Sequence, residues 1–268
     1  MSGHVLDPPR RAAPAHVRRR VPWHAAAWRQ YRLERKMFWR NPSAAFFNFV
    51  LPLVFLALFG SIFAGQDDDL EVIVPGIAGM AVMATTFSAL AMNITHLRES
   101  GVLKRIHGTP LPTSAYIAGI AGNAVTNTAL QVAAITSAGS LIFGLGWPDE
   151  WTALVVYVVI GVVCFASLGV ALSHAIPNFD SAPAYVNAVF LPTIFISGVF
   201  YDAGDVPEFL RVIAEALPLK HLIDGLSGAM VDSQGLGHNV AGLLVLLLWT
   251  VAGVVLATRG FSWDSRRR

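Results

Sequence analysis

Apolar and polar residues along this chain do not alternate finely; they separate into blocks. Six stretches without a single Lys, Arg, Asp or Glu occupy residues 43–64, 72–95, 115–143, 152–175, 182–201 and 239–258. An α-helix rises about 1.5 Å per residue, so about 20 residues cross the ~30 Å hydrocarbon core of a bilayer. A charge at the centre of such a helix costs about 2.5–3.5 kcal/mol on insertion scales, which accounts for its exclusion. The pattern predicts an all-α membrane protein with six transmembrane helices.

Two further segments carry a helical pattern of a different kind. Between residues 23 and 42, Trp28, Tyr31 and Leu33 mix with Arg29, Arg32, Arg35, Lys36 and Arg40. That mixture predicts an amphipathic helix in the cytoplasmic interface, aromatics at head-group depth and basic stems reaching water. Asn41-Pro42 then turns the chain into the first span. In the segment 202–238, Ile213, Ala214, Leu217, Leu222 and Ile223 recur at helical spacing, and Pro218 divides the run. Two short re-entrant helices before the sixth span would fit, provided that protein or a wet cavity surrounds their ends.

Charge sets the orientation. Threading six spans puts 17 of the 19 Lys and Arg residues in the segments 1–42, 97–114, 176–181 and 259–268, while 12 of the 17 acids lie on the other side. Basic residues favour the cytoplasmic face, so both termini are expected inside a multi-pass protein of the cell's inner (plasma) membrane. The expected domains are a disordered basic cytoplasmic tail (1–22), the interfacial helix (23–42), a six-helix transmembrane domain (43–258) and a cytoplasmic tail (259–268). The tail has no apolar core of a signal peptide; it is a solvated basic segment facing membrane lipids, with no nucleic acid as partner. Charged residues make up only 13 % of the chain, half the usual ~25 % of soluble domains. Cys164 is the single cysteine, which excludes an internal disulfide and a thiolate metal cluster.

Candidate chemistry is sparse. No G-x-x-x-x-G-K-[ST] phosphate loop and no H-E-x-x-H occurs, and the eight histidines lack ligand spacing. No catalytic residues and no metal ligands are therefore assigned. Spans free of Lys, Arg, Asp and Glu argue against ion-coupled transport, and the lack of charged rings argues against a passive channel. Neutral polar residues do lie in the spans: Asn123, Asn127 and Gln131 at i, i+4 and i+8, with Asn48 and Asn93 elsewhere. They serve either as a hydrogen-bonding substrate pathway or as interhelical glue, worth about 0.6 kcal/mol each. Asp67–Asp69 form a solvated run in an external turn.

The loop after the second span reads Glu99-Ser-Gly101-Val102-Leu103-Lys104-Arg105-Ile106, followed by Thr109-Pro110-Leu111. It resembles the signature of ABC-2-type exporter permeases, the membrane subunits of ATP-binding-cassette exporters that include the daunorubicin-resistance-like drug exporters. Further matches are Phe190-Leu191-Pro192, Ser197-Gly198-Val199-Phe200, Val206-Pro207-Glu208-Phe209, Leu217-Pro218-Leu219, Ile223-Asp224-Gly225-Leu226 and Arg40-Asn41-Pro42. Together they span nearly all of residues 28–258. The chain departs from the family pattern at Ser227 and Gly228, where many members carry an arginine.

The resemblance implies that the loop docks a separate ATPase, with Val102, Leu103 and Ile106 as an apolar ridge and Glu99, Lys104 and Arg105 as rim charges. It implies two ATPase subunits, a second permease copy (the same chain or a sibling), and ATP and Mg held by the ATPase, with no cofactor on this chain. The expected function is a transport subunit, itself no enzyme, for multidrug or lipid efflux. A polysaccharide exporter and a membrane-embedded enzyme of lipid or cell-wall metabolism are the alternatives.

Overall fold

Helix boundaries fall where proline, glycine and charge punctuate the apolar blocks. The computed structural model describes residues 22–62, 67–102, 111–201 and 207–260. Helix α1 spans Trp23–Trp39, and α2 spans Pro42–Ile62, opening on a proline whose missing N–H costs nothing at a first helical position. Helix α3 (Asp67–Met83), a π-helical turn (Ala84–Ser88) and α4 (Ala89–Glu99) run on as one continuous helix. Then come α5 (Thr113–Ile142), α6 (Trp151–Ser173), α7 (Ala182–Ile196), α8 (Glu208–Ala216), α9 (Pro218–Met230) and α10 (Val240–Gly260). Among the described residues there is no strand.

The α3–α4 helix is the axis of the bundle. In its most apolar 18-residue stretch 78 % of the residues are buried, against 22 % in that of α2 and 17 % in that of α10, which therefore lie at the periphery. Ile73, Val74, Ile77 and Val82 of α3 meet Tyr157, Val162 and Phe165 of α6 and Leu219, Leu222 and Leu226 of α9 in one core. Inside a bilayer, close packing rather than water exclusion holds helices together, so small residues sit at the contacts. Such contacts are present: a Cβ on Gly76 would lie 2.1 Å from the Val199 carbonyl oxygen, and one on Gly161 would strike Leu222 at 2.9 Å. The tightest contact at the π turn is Gly169 of α6, whose Cβ would come within 2.5 Å of the Phe87 carbonyl oxygen.

Of the six expected crossings, four described helices are long and apolar enough: Ala45–Ile62, Leu70–Glu99, Trp151–Ser173 and Val240–Arg259. The other two depart for distinct reasons. Helix α5 has 30 residues, but its Asn, Gln, Ser and Thr content dilutes its hydropathy. Helix α7 is apolar yet only 15 residues long, ending before Gly198, whose φ of +76° favours glycine. The expected pair of short helices is seen as α8 and α9, parted at Leu217-Pro218. Helix α9 is buried against α3, α6 and α10, which covers its backbone with protein.

Asp67–Asp69, expected in a turn, instead begin α3. The tail 1–21, the ends of the 259–268 segment beyond Gly260, and Leu103, Lys104, Arg105, Ile106, Thr109 and Pro110 lie outside the described residues.

Because backbone, not a flexible side chain, faces Gly169, Gly169→Ala should force α6 off the π turn. We expect a loss of about 1–3 kcal/mol, read as a lower Tm in detergent, while Gly146→Ala, which meets nothing within 4 Å, leaves Tm unchanged.

Candidate functional site

Helix α1 runs beside the first half of α5, and the docking follows from two small residues. A Cβ on Gly119 would come within 2.5 Å of Gln30 and 2.9 Å of the Tyr31 backbone nitrogen, and Gly122 faces the Tyr31 ring at 3.3 Å. Hydrogen bonds fix the register. Trp23 Nε1 donates to Ser114 Oγ (2.9 Å), Tyr31 and Thr126 pair their hydroxyls (3.2 Å), and Arg35 donates to Asn127 Oδ1 (2.5 Å). Arg35 also lies 5.7 Å from the Trp39 ring centroid, a cation–π contact. Arg29, Arg32 and Arg40 are exposed, as are Trp28, Leu33 and Trp39. The basic helix therefore presents a mixed charged and aromatic outer face and turns Arg35 inward.

Beneath α1 lies a cavity of about 450 Å³ lined by Glu34, Asn48, Thr85, Asn93, Asn123 and Asn127, among others. Four of the five polar span residues singled out from the sequence thus converge on one space. The fifth, Gln131, is buried beside it: the Thr85 hydroxyl donates to the Gln131 side-chain carbonyl, and the Gln131 amide donates to the backbone carbonyl of Asn48. Thr85 is presented by the π turn, a local widening that recurs at functional sites. Two polar roles separate here. Asn127 and Gln131 are paired within the protein, as glue. Asn48 Nδ2, Ser88 Oγ and Asn123 Oδ1 are buried with no hydrogen-bond partner among the described residues.

The sequence reading missed Glu34, although it is the only acid between residues 23 and 42. Its carboxylate accepts a 2.7 Å bond from Gln30 Nε2. Burial raises its pKa above the ordinary 4.5, outweighing the lowering effect of that bond.

On the other flank of the π turn, Phe87 faces a larger groove of about 740 Å³, lined by Phe165, Val189 and Trp249. At the signature loop, Glu99 is exposed, Gly101 adopts φ +70°, and Val102 and Leu111 are half-buried. Asn93 stands one to two turns before Glu99 on α4, so the cavity and the loop share a helix. At the opposite end of the fold, Asp224 pairs with Lys220 one turn earlier on α9.

A bundle of long apolar helices around a polar cavity defines a multi-pass membrane protein. The ABC-2 type transporter family matches residues 23–231, from the start of α1 to the residue after α9, and the chain belongs to that family. The inner membrane transport permease YadH of Escherichia coli (strain K12) is 24 % identical over 178 residues, 64 % of this chain and 69 % of YadH. Nodulation protein J of Rhizobium meliloti (strain 1021) is 26 % identical over 242 residues, 87 % of this chain and 90 % of the relative. Nodulation protein J of Sinorhizobium fredii (strain NBRC 101917 / NGR234) is 24 % identical over 226 residues.

Gln131→Leu strips two buried groups of their partner and should lower stability by about 1 kcal/mol or more, whereas Asn123→Ala removes an unpaired acceptor and should leave Tm nearly unchanged. Thermal melts of both variants test this asymmetry. Glu34 gives a pH signature. With its folded pKa raised, folding binds a proton between the unfolded and folded pKa values, so stability falls as pH rises through that window. Glu34→Gln removes this loss. Its Tm advantage over the wild type should grow as pH climbs from about 4.5 and then level off; a difference that does not vary with pH contradicts the burial argument.

Proposed function

We propose that this chain is the transmembrane subunit of an ATP-driven exporter that moves an amphiphilic substrate, drug-like or lipid-like, out of the cytoplasm or the inner leaflet. The observation that carries this reading is the convergence of Asn48, Asn93, Asn123, Asn127 and Glu34 on one cavity, whose Thr85 and Asn93 stand on the continuous helix that leads into the signature loop. Hydrogen-bonding groups on one flank of the π turn and an apolar groove on the other suit a molecule with a polar head and an apolar body. Pocket volumes of about 300–1,000 Å³ are those of small-molecule sites. A polysaccharide would need a longer run of polar lining, which is why the amphiphile is preferred.

The chain lacks a phosphate loop, so the energy comes from a separate ABC ATPase, which holds the ATP and Mg. Family membership supports that partnership. In this reading two ATPases and two permeases assemble, all six apolar blocks cross the inner membrane, α8 and α9 dip in from the outer side, and both termini are cytoplasmic. ATP-driven closure of the ATPases presses on the loop from Glu99 to Leu111 and on α1. Since α1 is bolted to α5 through Tyr31–Thr126 and Arg35–Asn127, the push reaches the cavity wall directly. Asn48 Nδ2 and Asn123 Oδ1, unpaired in this state, are then the groups that exchange partners as the wall moves.

Affinity purification in mild detergent tests this. The wild type should bring down a polypeptide carrying a G-x-x-x-x-G-K-[ST] loop together with a second permease. Val102→Asp should weaken ATPase recovery by about tenfold or more, because burying an unpaired carboxylate costs more than the ~1.4 kcal/mol of one decade. Its membrane level should not change. Full ATPase recovery with this variant contradicts the docking assignment.

A further inference from the structure

The end of α4 does more than lead into the signature loop. Three of its side chains reach across to one place, the connection between α6 and α7. Arg98 donates from its two terminal guanidinium nitrogens to the carbonyl oxygens of Ser173 (2.8 Å) and Ile176 (2.5 Å). Carbonyls at a helix C-terminus have no partner within the helix, and a cation there also complements the dipole. The Glu99 carboxylate accepts the backbone N–H of Phe179 at 2.6 Å. The His96 and Phe179 rings meet edge to face, with centroids 4.9 Å apart. Asn178 Oδ1 closes the turn by accepting the Ser181 N–H at 2.9 Å.

This arrangement has a consequence for Glu99. Its carboxylate, expected to be a rim charge offered to the ATPase, is already committed within the permease. The connection that it holds has the opposite character: Pro177, Asn178, Phe179 and Asp180 are all exposed, although the backbone beneath them is fixed at Ile176, Phe179 and Ser181. A short tip carrying an apolar ring and a carboxylate, pre-organised beside a docking segment, loses little conformational entropy on binding. A flexible loop would not need four separate contacts to hold it.

We infer that the connection 176–181 is a second contact element for the ATPase subunit, held in register with the signature loop by Arg98 and Glu99 as positioning residues. The inference rests on the reading that the loop after Glu99 docks an ATPase. Phe179 seeks an apolar spot beside the groove that takes Val102, and Asp180 seeks a basic or hydrogen-bond-donating rim. The connection joins α6 to α7 without an intervening element, so a push at this surface acts on two helices besides α4 and α5.

Cross-linking within the assembled complex tests it. Cys164 is the sole cysteine and is buried, so a Cys164→Ala background carrying Asp180→Cys or Val102→Cys gives one thiol at a time. A short thiol-to-amine cross-linker is applied to membranes holding the permease and its ATPase, and the product is identified by the peptide containing G-x-x-x-x-G-K-[ST]. Both positions should capture the ATPase. Adding Glu99→Ala should cut the product at position 180 several-fold while sparing that at 102, and Glu99→Gln, which keeps an acceptor for the Phe179 N–H, should restore it. Capture at 102 without capture at 180 overturns the second contact and leaves the docking reading standing. Capture at neither position overturns both. A product at 180 that ignores Glu99→Ala overturns the positioning role.

Discussion

One constraint organises this molecule: polar groups inside hydrocarbon must find partners within the protein or do without. The six apolar blocks obey it by omission, excluding every Lys, Arg, Asp and Glu. The α3–α5 contact obeys it by pairing, with Thr85, Gln131 and the Asn48 carbonyl closing a short chain of hydrogen bonds. A few atoms in the same region, Asn48 Nδ2 and Asn123 Oδ1 among them, are left unpaired. Leaving a buried amide group unpaired costs about 1–3 kcal/mol, and such exceptions are informative when they gather around one cavity.

The same constraint explains how much could be read in advance. Apolar blocks and their proline boundaries are local signals, and they located α2, the α3–α4 helix, α6 and α10 to within a few residues. The split at Pro218 and the amphipathic stretch from Trp23 were equally legible. The other two blocks also form helices, but neither is both long and apolar enough to count as a crossing. Helix α5 trades hydropathy for the polar residues that bind α1, and α7 stops at Ile196, before Gly198 at φ +76° and Val199 against Gly76. What the sequence could not reveal was which polar residues share a space. A stripe at i, i+4 and i+8 placed Asn123, Asn127 and Gln131 on one side of a helix, but Glu34 joins them only because α1 lies along α5. Likewise, nothing in the spacing of Arg98 and Glu99 points to a loop about 75–80 residues away; that pairing is tertiary.

In the proposed mechanism, force and binding meet in a small part of the fold. The α3–α4 helix carries the cavity at Thr85 and Asn93 and the signature at Glu99. Helix α1 closes the cavity from one side, and the connection 176–181 ties the signature end to α6 and α7. Close backbone contacts, such as Gly169 on the π turn, make such a bundle stiff, so a displacement at its end moves whole helices and is not absorbed locally. The π turn lies between the polar cavity and the apolar groove, where a shift of register alters both linings together.

Coupling between ATP hydrolysis and the cavity is the central requirement of the proposed mechanism. The direct measurement uses Asn123→Cys in the Cys164→Ala background, reconstituted with its ATPase, and follows the labelling rate of that thiol by a membrane-impermeant maleimide. ATP should change the rate when the ATPase is present and leave it unchanged for the permease alone. A labelling rate indifferent to ATP in the full complex, with hydrolysis proceeding normally, would contradict the claim that this cavity is what the ATPase drives.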